Sequence, residues 1–248
     1  MYPVLFEFGP LKVYTWGLMV GIGILMGLWV VLWKAREAGI DTDKVVNLVL
    51  ASVLAGILGA RIAYVILFWS YYGQHPMEIL WISGGGLTVY GAILAVIPTL
   101  IWLTKKWKIP VWKFMDIAVL GMWPGYAIGR IGCFFNGCCQ GFAHYGFLGF
   151  HFPQYAEPRL ATQLISSGIA AILFVIFLFV VYPRKKFDGQ VFFYAIGTYM
   201  AYRFGIEFFR DNPNGPWNLT VGQWTIIAVV PIFLYWYTWF KKKFASGS

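Results

Sequence analysis

Charged residues are scarce in this sequence, at 12% of 248 residues, and acidic residues are scarcer still, with 10 Asp and Glu against 19 Lys and Arg. A soluble domain carries about 25% charged residues, so this scarcity excludes an ordinary water-soluble enzyme and a disordered tail. Three cysteines are too few for a disulfide-rich scaffold. Instead, 60% of the residues are hydrophobic and 20% are aromatic, which indicates a protein whose solvent is mostly lipid.

The net charge of +9 comes from few residues. Basic proteins can bind nucleic acid, but with so few charges the distribution of the basic residues is more informative than their sum. We expect no nucleic-acid partner, because the basic residues cluster between apolar runs in the pattern that sets membrane topology.

Seven apolar runs are candidate membrane-spanning helices, since a bilayer core of about 30 Å needs about 20 helical residues. They cover residues 14–33, 46–69, 87–103, 117–134, 162–182, 191–209 and 222–240, and the third is short and contains Pro98. Lipid does not tolerate unpaired backbone groups, and the alternating segments of a membrane barrel are absent. We therefore predict an all-α integral membrane protein with seven transmembrane helices, forming one domain over residues 1–248 with a small external loop region around 133–161.

The basic residues predict the orientation of this bundle. Thirteen of them follow the first, third, fifth and seventh runs: Lys34, Arg36, Lys44, Lys105, Lys106, Lys108, Lys113, Arg184, Lys185, Lys186, Lys241, Lys242 and Lys243. The opposite connections hold Lys12, Arg159 and Arg210. Because cytoplasmic loops carry the excess of Lys and Arg, we predict that the N-terminus lies outside and the C-terminus is cytoplasmic.

Arg61, Arg130 and Arg203 remain inside apolar runs, where an ionised side chain costs several kcal/mol and is usually functional or paired. Counted at about 1.5 Å per residue, all three lie roughly 18–22 Å from the inner surface. A common anionic site explains this shared level, and guanidinium groups suit a phosphate because they donate two parallel hydrogen bonds. Separate snorkelling to the outer headgroups is the alternative. The expected ligand is a phospholipid headgroup in the outer leaflet.

Tyr199, Arg203, Glu207 and Arg210 are spaced by four, four and three residues and therefore form one stripe on a helix. This stripe is either a polar seam that belongs to the anionic site or an internal ion pair that neutralises a buried arginine. Glycines are frequent near the outer helix ends, and they serve either close approach to a ligand or close helix packing.

Cys133, Cys138 and Cys139 lie together just after Arg130 on the predicted outer side. Zinc motifs usually use two Cys-x-x-Cys or Cys/His pairs, and the adjacent Cys138 and Cys139 can hardly present two ligands tetrahedrally without strain. Burial as small packing residues is the favoured interpretation, and a disulfide or a metal site are the alternatives. We predict neither a metal ion nor another cofactor.

Residues 129–137, GRIGCFFNG, followed by Gly141, resemble the signature of the prolipoprotein diacylglyceryl transferases. Further matches follow in chain order: YTWGLM at 14–19, GARIAYV at 59–65, GGLTVYG at 85–91, ATQL at 161–164, YRFGIEFFR at 202–210 and GQ at 222–223. Each piece is short, but their order along nearly the whole chain makes the resemblance specific.

The resemblance implies an enzyme of the bacterial cytoplasmic (inner) membrane that transfers the diacylglyceryl group of phosphatidylglycerol to the lipobox cysteine thiol of a prolipoprotein, releasing glycerol phosphate. It implies phosphatidylglycerol, the lipobox peptide and membrane lipids as partners, and we expect a monomer. Because the nucleophile belongs to the substrate, no catalytic triad is needed. The implied catalytic residues are Arg130, Arg203, Tyr90 and Glu207, and the implied substrate-binding residues are Arg61, Asn136, Gly141, Gln163, Tyr199, Gly85 and Gly86.

The sequence also departs from the family pattern. Cys133 stands where Asn is usual, Cys138 where Glu is usual, Tyr90 where many members have His, and Trp16 where Tyr is usual, while residues 160–166 retain little of the usual motif. A tyrosine of pKa near 10 is a poorer base at neutral pH than histidine. The chain is therefore either a divergent transferase or a paralogue that binds the same lipid and modifies another acceptor. An anionic-lipid transporter is the rival class, although it would usually show internal repeats.

Overall fold

A computed structural model describes residues 4–8, 11–80, 86–211 and 215–245. Its helices are α1 Thr15–Glu37, α2 Thr42–Leu67, α3 Trp69–Tyr72, α4 Val89–Lys106, α5 Val111–Asn136, α6 Thr162–Ile176, α7 Gln190–Glu207 and α8 Val221–Ala245. A π-helical turn, Phe177–Val181, and a 3-10 turn, Tyr182–Arg184, extend α6. Further 3-10 turns are Pro76–Leu80 and Pro216–Asn218.

Six helical segments in these ranges are long and apolar enough to cross a membrane. They are α1, α2, α4, α5, the continuous segment 162–184 and the part of α8 up to Lys243. Each lies on one of the seven predicted runs, including the third, where Pro98 is accommodated inside α4. The sixth run forms the 18-residue helix α7, which contains Arg203 and Glu207 and is not among the six. The protein is thus a mostly helical, multi-pass membrane protein.

Two small antiparallel sheets accompany the helices, although the sequence predicted helices alone. Strands β1 Val4–Phe8 and β2 Leu11–Tyr14 pair before α1, so the predicted start of the first helix at residue 14 is part of a strand. Strands β3 Gly149–Phe150 and β4 Arg159–Leu160 pair within the loop that follows α5. Phe152, which is 1% exposed, gives that loop a buried side chain.

The chain divides into two compact units, one of residues 32–114 and one of residues 1–31 with 115–248. In the first, α2 and α4 pack at Gly59 and Gly91, where a Cβ on either glycine would overlap the carbonyl oxygen of the other. Small residues allow helices in lipid to approach this closely, and van der Waals packing then holds them together. This packing accounts for the glycine of GARIAYV, Gly59, two residues before Arg61.

In the second unit, α1 and α5 also approach through glycines. A Cβ on Gly23 would lie 2.8 Å from the carbonyl oxygen of Gly125, and one on Gly27 would lie 2.8 Å from that of Gly121. These contacts are too short for any side chain, so the two helices pack backbone to backbone. The packing leads directly into the C-terminal part of α5, which carries Arg130.

Asp116 of α5 ties this helix to the start of α7. Its carboxylate, which is 0% exposed, accepts hydrogen bonds from the backbone N–H groups of Gly189 and Phe192, both at 2.9 Å. The Nζ of Lys185 lies 3.1 Å from the same carboxylate. Gly189 adopts a φ of 99°, which a residue with a side chain rarely does. This contact fixes one end of the helix pair whose other end holds the candidate site.

Candidate functional site

One carboxylate binds two guanidinium groups at the C-terminal end of α7. Oε2 of Glu207 lies 2.6 Å from Nη1 of Arg203 and 3.3 Å from Nη1 of Arg210. Glu207 is 6% exposed, whereas the side chain of Arg203 is 27% exposed. A guanidinium has five N–H donors, so one shared carboxylate oxygen does not exhaust either arginine. The predicted stripe is therefore present as two ion pairs with more cationic than anionic charge.

Arg130 lies on α5, and its Nε is buried without a hydrogen-bond partner among the described residues. No carboxylate in this part of the chain pairs with it. The nearby polar groups that interact with it electrostatically are Tyr126, Tyr202 and the thiols of Cys133 and Cys139. A half-buried guanidinium among neutral groups leaves a positive charge that an anionic ligand can neutralise.

Three tyrosines connect the two helices of the site. The hydroxyl oxygens of Tyr126 and Tyr202 are 3.3 Å apart, and the ring of Tyr199 meets that of Tyr126 edge-on with 5.8 Å between centroids. Tyr199 interacts electrostatically with both Arg130 and Arg203. The structure therefore brings the predicted residues Arg130, Arg203, Tyr199 and Glu207 into one polar cluster.

The loop after α5 is fastened to the first turn of α6. The backbone turns back through Gly137 and Cys139, whose φ values are 71° and 65°. Thr162 donates its hydroxyl to the carbonyl of Cys139, and Gln163 donates its side-chain amide to the carbonyl of Cys138, both at 2.6 Å. Gln163 is 0% exposed, and its Oε1 is buried without a partner in the described part of the chain. The predicted Gln163 thus supports the loop.

Gly141 presses the same loop against the end of α7. Its N–H donates to the carbonyl of Leu160 at 2.8 Å, and the N–H of Phe142 donates to the carbonyl of Phe209 at 3.3 Å. A Cβ on Gly141 would overlap the Phe209 carbonyl oxygen. The predicted Asn136 is the last residue of α5 and lies half-buried where this loop begins.

The three cysteines converge although two of them are adjacent in sequence. Their Sγ atoms lie within 4.8 Å of one another, and all three are free thiols. The backbone at Cys139 is left-handed, and its side chain lies towards the other two. Adjacency in the sequence predicted strain at Cys138 and Cys139 and did not include this conformation. Hydrogen bonds with Cys133 and Cys138 lower the pKa of the Cys139 thiol, and Arg210 and Arg130 act in the same direction.

Arg61, in the unit of residues 32–114, is 6% exposed and binds backbone carbonyl groups. It donates to the carbonyls of Glu78 at 2.6 Å, Ile79 at 2.8 Å and Gly86 at 3.0 Å. Its guanidinium carbon lies 5.1 Å from the centre of the Tyr72 ring. Arg61 therefore holds the segment before α4 in place, a role that its position in an apolar run did not reveal.

The remaining predicted residues lie around the start of α4. Gly86 has a φ of 79°, and a Cβ there would lie 2.5 Å from Nη1 of Arg61, so this position requires glycine. Tyr90 is the second residue of α4 and is 54% exposed. Gly85 lies outside the described residues.

An apolar groove of about 280 Å³ runs between α6 and α7 beside the polar cluster. Its lining residues are Ile165, Ile169, Ala201, Tyr202, Gly205, Ile206 and Phe209. Tyr202 belongs both to this groove and to the tyrosine group that interacts electrostatically with Arg130. A polar cluster and an apolar groove thus adjoin, which is the arrangement that a lipid with an anionic headgroup requires.

The sequence profile of the family described as "Prolipoprotein diacylglyceryl transferase" matches residues 3–239. The chain belongs to this family. It is 34% identical over 247 residues to the phosphatidylglycerol–prolipoprotein diacylglyceryl transferase of Dehalococcoides mccartyi, covering 94% of this chain and 93% of the relative. The protein of the same name from Bacillus cereus is 32% identical over 243 residues, covering 93% and 87%. That of Bacillus velezensis is 34% identical over 211 residues, covering 79% and 78%.

Some residues of this diacylglyceryl transferase family member were not assigned from sequence. Tyr126 lies four residues before Arg130 on the same helix, and that spacing could have revealed it. Arg210 was included in the stripe but received no separate role. Thr162 carried no such signal, because its partner is a loop carbonyl 23 residues away.

Proposed function

We propose that this chain transfers the diacylglyceryl group of phosphatidylglycerol to the thiol of a prolipoprotein lipobox cysteine and releases glycerol phosphate. The family match over residues 3–239 supports the reaction. The structural observation that carries it is the surplus of cations: Arg203 and Arg210 both pair with one carboxylate, Glu207. Arg130 interacts electrostatically with the same Tyr199 as Arg203 and Glu207. Such a surplus within a lipid-embedded bundle is stable when an anion such as the lipid phosphate binds there.

The reaction makes a specific demand on these charges. The thiolate sulfur of the acceptor attacks the glyceryl carbon that bears the phosphate ester, so a C–S bond forms as the C–O bond breaks. The electron pair of the broken bond goes to the phosphate oxygen, and negative charge grows on the departing glycerol phosphate. Guanidinium groups already in place stabilise this transition state more than the bound lipid. We assign this role to Arg130 and Arg203.

The other residues of the cluster position these two arginines and the pocket edge. Glu207 holds Arg203 through its 2.6 Å ion pair. Tyr199 interacts electrostatically with both Arg130 and Arg203. Gly141 and Gln163 hold the loop after α5 against α7 and α6. Asn136, at the end of α5, would supply a polar side chain for the glycerol headgroup.

The groove between α6 and α7 would hold an acyl chain of the lipid. It is lined by apolar side chains and by Tyr202, which also approaches Arg130. A chain in this groove would place its headgroup beside the arginines and could enter sideways from the bilayer. Ala201→Trp would fill the groove, and weaker use of phosphatidylglycerol, measured as a raised KM with unchanged kcat, would support this role. An unchanged KM would argue against it.

Tyr90 is assigned to the acceptor thiol, which must lose its proton to become a nucleophile. We assign its hydroxyl to orienting the thiol or relaying its proton. Arg61 and Gly86 are assigned to shaping the segment before α4 for substrate, and Gly85 is assigned to substrate binding from the family resemblance alone. Tyr90→Phe removes only the hydroxyl, so an unchanged transfer rate in this variant would contradict the assignment.

We also propose seven spans, with α7 as the sixth, in the bacterial inner membrane. In this topology the N-terminus and residues 133–161 lie outside, the C-terminus is cytoplasmic, and the protein is a monomer. The basic residues that follow α1, α4, the segment 162–184 and α8 support this orientation. Alkaline phosphatase fused after Tyr145 should be active and after Lys106 inactive, and the reverse pattern would overturn the orientation. Light scattering in detergent would measure the assembly state.

The decisive assay uses the purified full chain in detergent, labelled phosphatidylglycerol and a synthetic lipobox peptide. We expect a thioether product that is lost when the peptide cysteine is replaced by serine. Arg130→Ala should abolish the product, whereas Arg184→Ala, at an exposed arginine in the connection before α7, should leave it unchanged. Binding of phosphatidylglycerol without any product would instead indicate a paralogue with another acceptor or a lipid transporter.

A further inference from the structure

Cys133, Cys138 and Cys139 form a side-chain cluster to which the proposed transfer assigns no role. They are all the cysteines of the chain. All three are half-buried, and their Sγ atoms lie within 4.8 Å of one another. We propose that they bind one soft divalent metal ion, Zn²⁺, through three sulfur ligands.

The distances suit zinc. With Zn–S bonds of about 2.3 Å and tetrahedral angles, two sulfur ligands lie about 3.8 Å apart. The sulfur atoms therefore need to approach by at most about 1 Å, which small rotations of the cysteine side chains provide. A disulfide would use two of the three sulfurs and leave the third unused, whereas a metal ion uses all of them.

The backbone holds the three ligands in a fixed arrangement. Cys133 is in the last turn of α5, and its carbonyl accepts a hydrogen bond from the N–H of Cys138 at 3.1 Å. The carbonyls of Cys138 and Cys139 are held by Gln163 and Thr162, both at 2.6 Å. Because the loop is ordered before a metal binds, little conformational entropy is lost on binding.

The charges and ligand type also favour zinc. Three thiolates and one Zn²⁺ carry a net charge of −1, and Arg130 and Arg210 both interact electrostatically with Cys139. These cations compensate a negative metal site that would otherwise be costly to place near lipid. Thiolate ligands bind Zn²⁺ in preference to harder cations. Zinc with three protein ligands keeps a fourth position for water or another ligand.

The experiment measures metal in the tag-free full chain, purified in detergent under reducing conditions and supplied with Zn²⁺. We expect one zinc ion per chain after dialysis, and loss of it in Cys133→Ser, Cys138→Ser and Cys139→Ser. His144→Ala and His151→Ala are the matched controls, since both histidines follow the cluster in the same loop region and could bind zinc adventitiously. These controls should retain the metal.

Cobalt provides a readout that needs no variant. Co²⁺ added to the wild-type protein should produce sulfur-to-metal charge-transfer absorption whose intensity corresponds to three thiolates. The proposal is overturned if this absorption is absent, if zinc persists in the cysteine variants, or if thiol titration of the purified protein finds a disulfide that excludes metal. None of these measurements uses the transfer assay, so failure here leaves the proposed transferase function untouched.

Discussion

Two buried carboxylates in the same unit, Asp116 and Glu207, have contrasting surroundings. Asp116 accepts two backbone N–H groups and the ammonium group of Lys185, which also binds Asp188 at 2.8 Å. Glu207 binds the guanidinium groups of Arg203 and Arg210. Tyr199 interacts electrostatically with Glu207, Arg203 and Arg130. Around Asp116 two carboxylates share one ammonium group and the other donors are neutral backbone N–H groups, whereas around Glu207 the cations are in excess.

This difference separates an ion pair that holds a helix in place from ion pairs that belong to the proposed binding site. The N–H donors to Asp116 belong to Gly189 and Phe192, at the start of α7. They could separate from the carboxylate only if this end of the helix unfolded, so the contact holds α7 in position. The arginines at Glu207 have further donors that the carboxylate cannot use. Because burial of a charge is costly without compensation, the excess at Glu207 favours binding of an anion, and the site at Asp116 does not.

Among the variants that test this contrast, removal of Arg203 should have the largest effect on the transfer rate. Arg203→Ala should lower the transfer rate by about 100- to 1,000-fold, as loss of one preorganised donor to a developing oxyanion does. Arg203→Lys should restore only part of the rate, since an ammonium cannot form two parallel hydrogen bonds. The measurement is kcat/KM for phosphatidylglycerol, with Arg184→Ala as the control. Wild-type activity in Arg203→Ala would remove this residue from the site.

Neutralising Glu207 should have an intermediate effect. Glu207→Gln keeps the shape of the side chain but weakens both ion pairs, so Arg203 loses its orientation. A hydrogen bond to a charged group contributes about 1.5–3 kcal/mol, so we expect the transfer rate to fall about 10- to 100-fold. Circular dichroism of the variant in detergent should show that the helices remain. A rate equal to that of the wild type would mean that Arg203 is held by other contacts.

Neutralising Asp116 should affect stability and not chemistry. Asp116→Asn leaves one carbonyl oxygen where two carboxylate oxygens accept hydrogen bonds. We expect a loss of about 1–3 kcal/mol in the free energy of unfolding, because a buried N–H loses its partner. Thermal unfolding in detergent measures this loss, while kcat per folded molecule should not change. A fall in kcat without a change in unfolding temperature would mean that Asp116 serves the reaction and not the fold.

Arg159→Ala should have the smallest effect. Arg159 pairs with Asp211, whose side chain is 49% exposed, and it lies over the ring of Tyr155. Exposed ion pairs contribute about 0.2–1 kcal/mol, so the transfer rate should change by less than about fivefold. A larger loss in the same assay would extend the cationic site to β4.

The spans were predictable because each depends on a contiguous stretch of sequence. Six predicted runs lie on helices long and apolar enough to cross a membrane, since hydropathy and length alone decide whether a helix can span lipid. The ion pairs of Glu207 with Arg203 and Arg210 were also predictable, because residues three and four apart share a helix face. The hairpin of β1 and β2 was missed, since strands of five and four residues are too short to stand out as an apolar run, and only Tyr14 was included in the first predicted helix.

The partners of Arg61 were not predictable. The three carbonyl groups that it binds lie 17, 18 and 25 residues further along the chain, and a sequence pattern does not show where such segments return. The convergence of the three thiols was likewise not predictable, because the adjacent Cys138 and Cys139 were expected to present two ligands only with strain. The left-handed conformation of Cys139 brings the side chains together.

The sequence by itself determined the membrane class, the helical spans, the family resemblance and the stripe of α7, because these depend on composition and on local helical geometry. The tertiary structure decided which arginines keep N–H donors without a partner in the described part of the chain, since that depends on which groups lie next to each arginine after folding. Arg61 meets backbone carbonyls, whereas Arg130 and Arg203 meet tyrosines and one carboxylate. The same residue type in the same kind of apolar run therefore binds backbone carbonyls in one case and, in the other, keeps donors for the ligand that we propose.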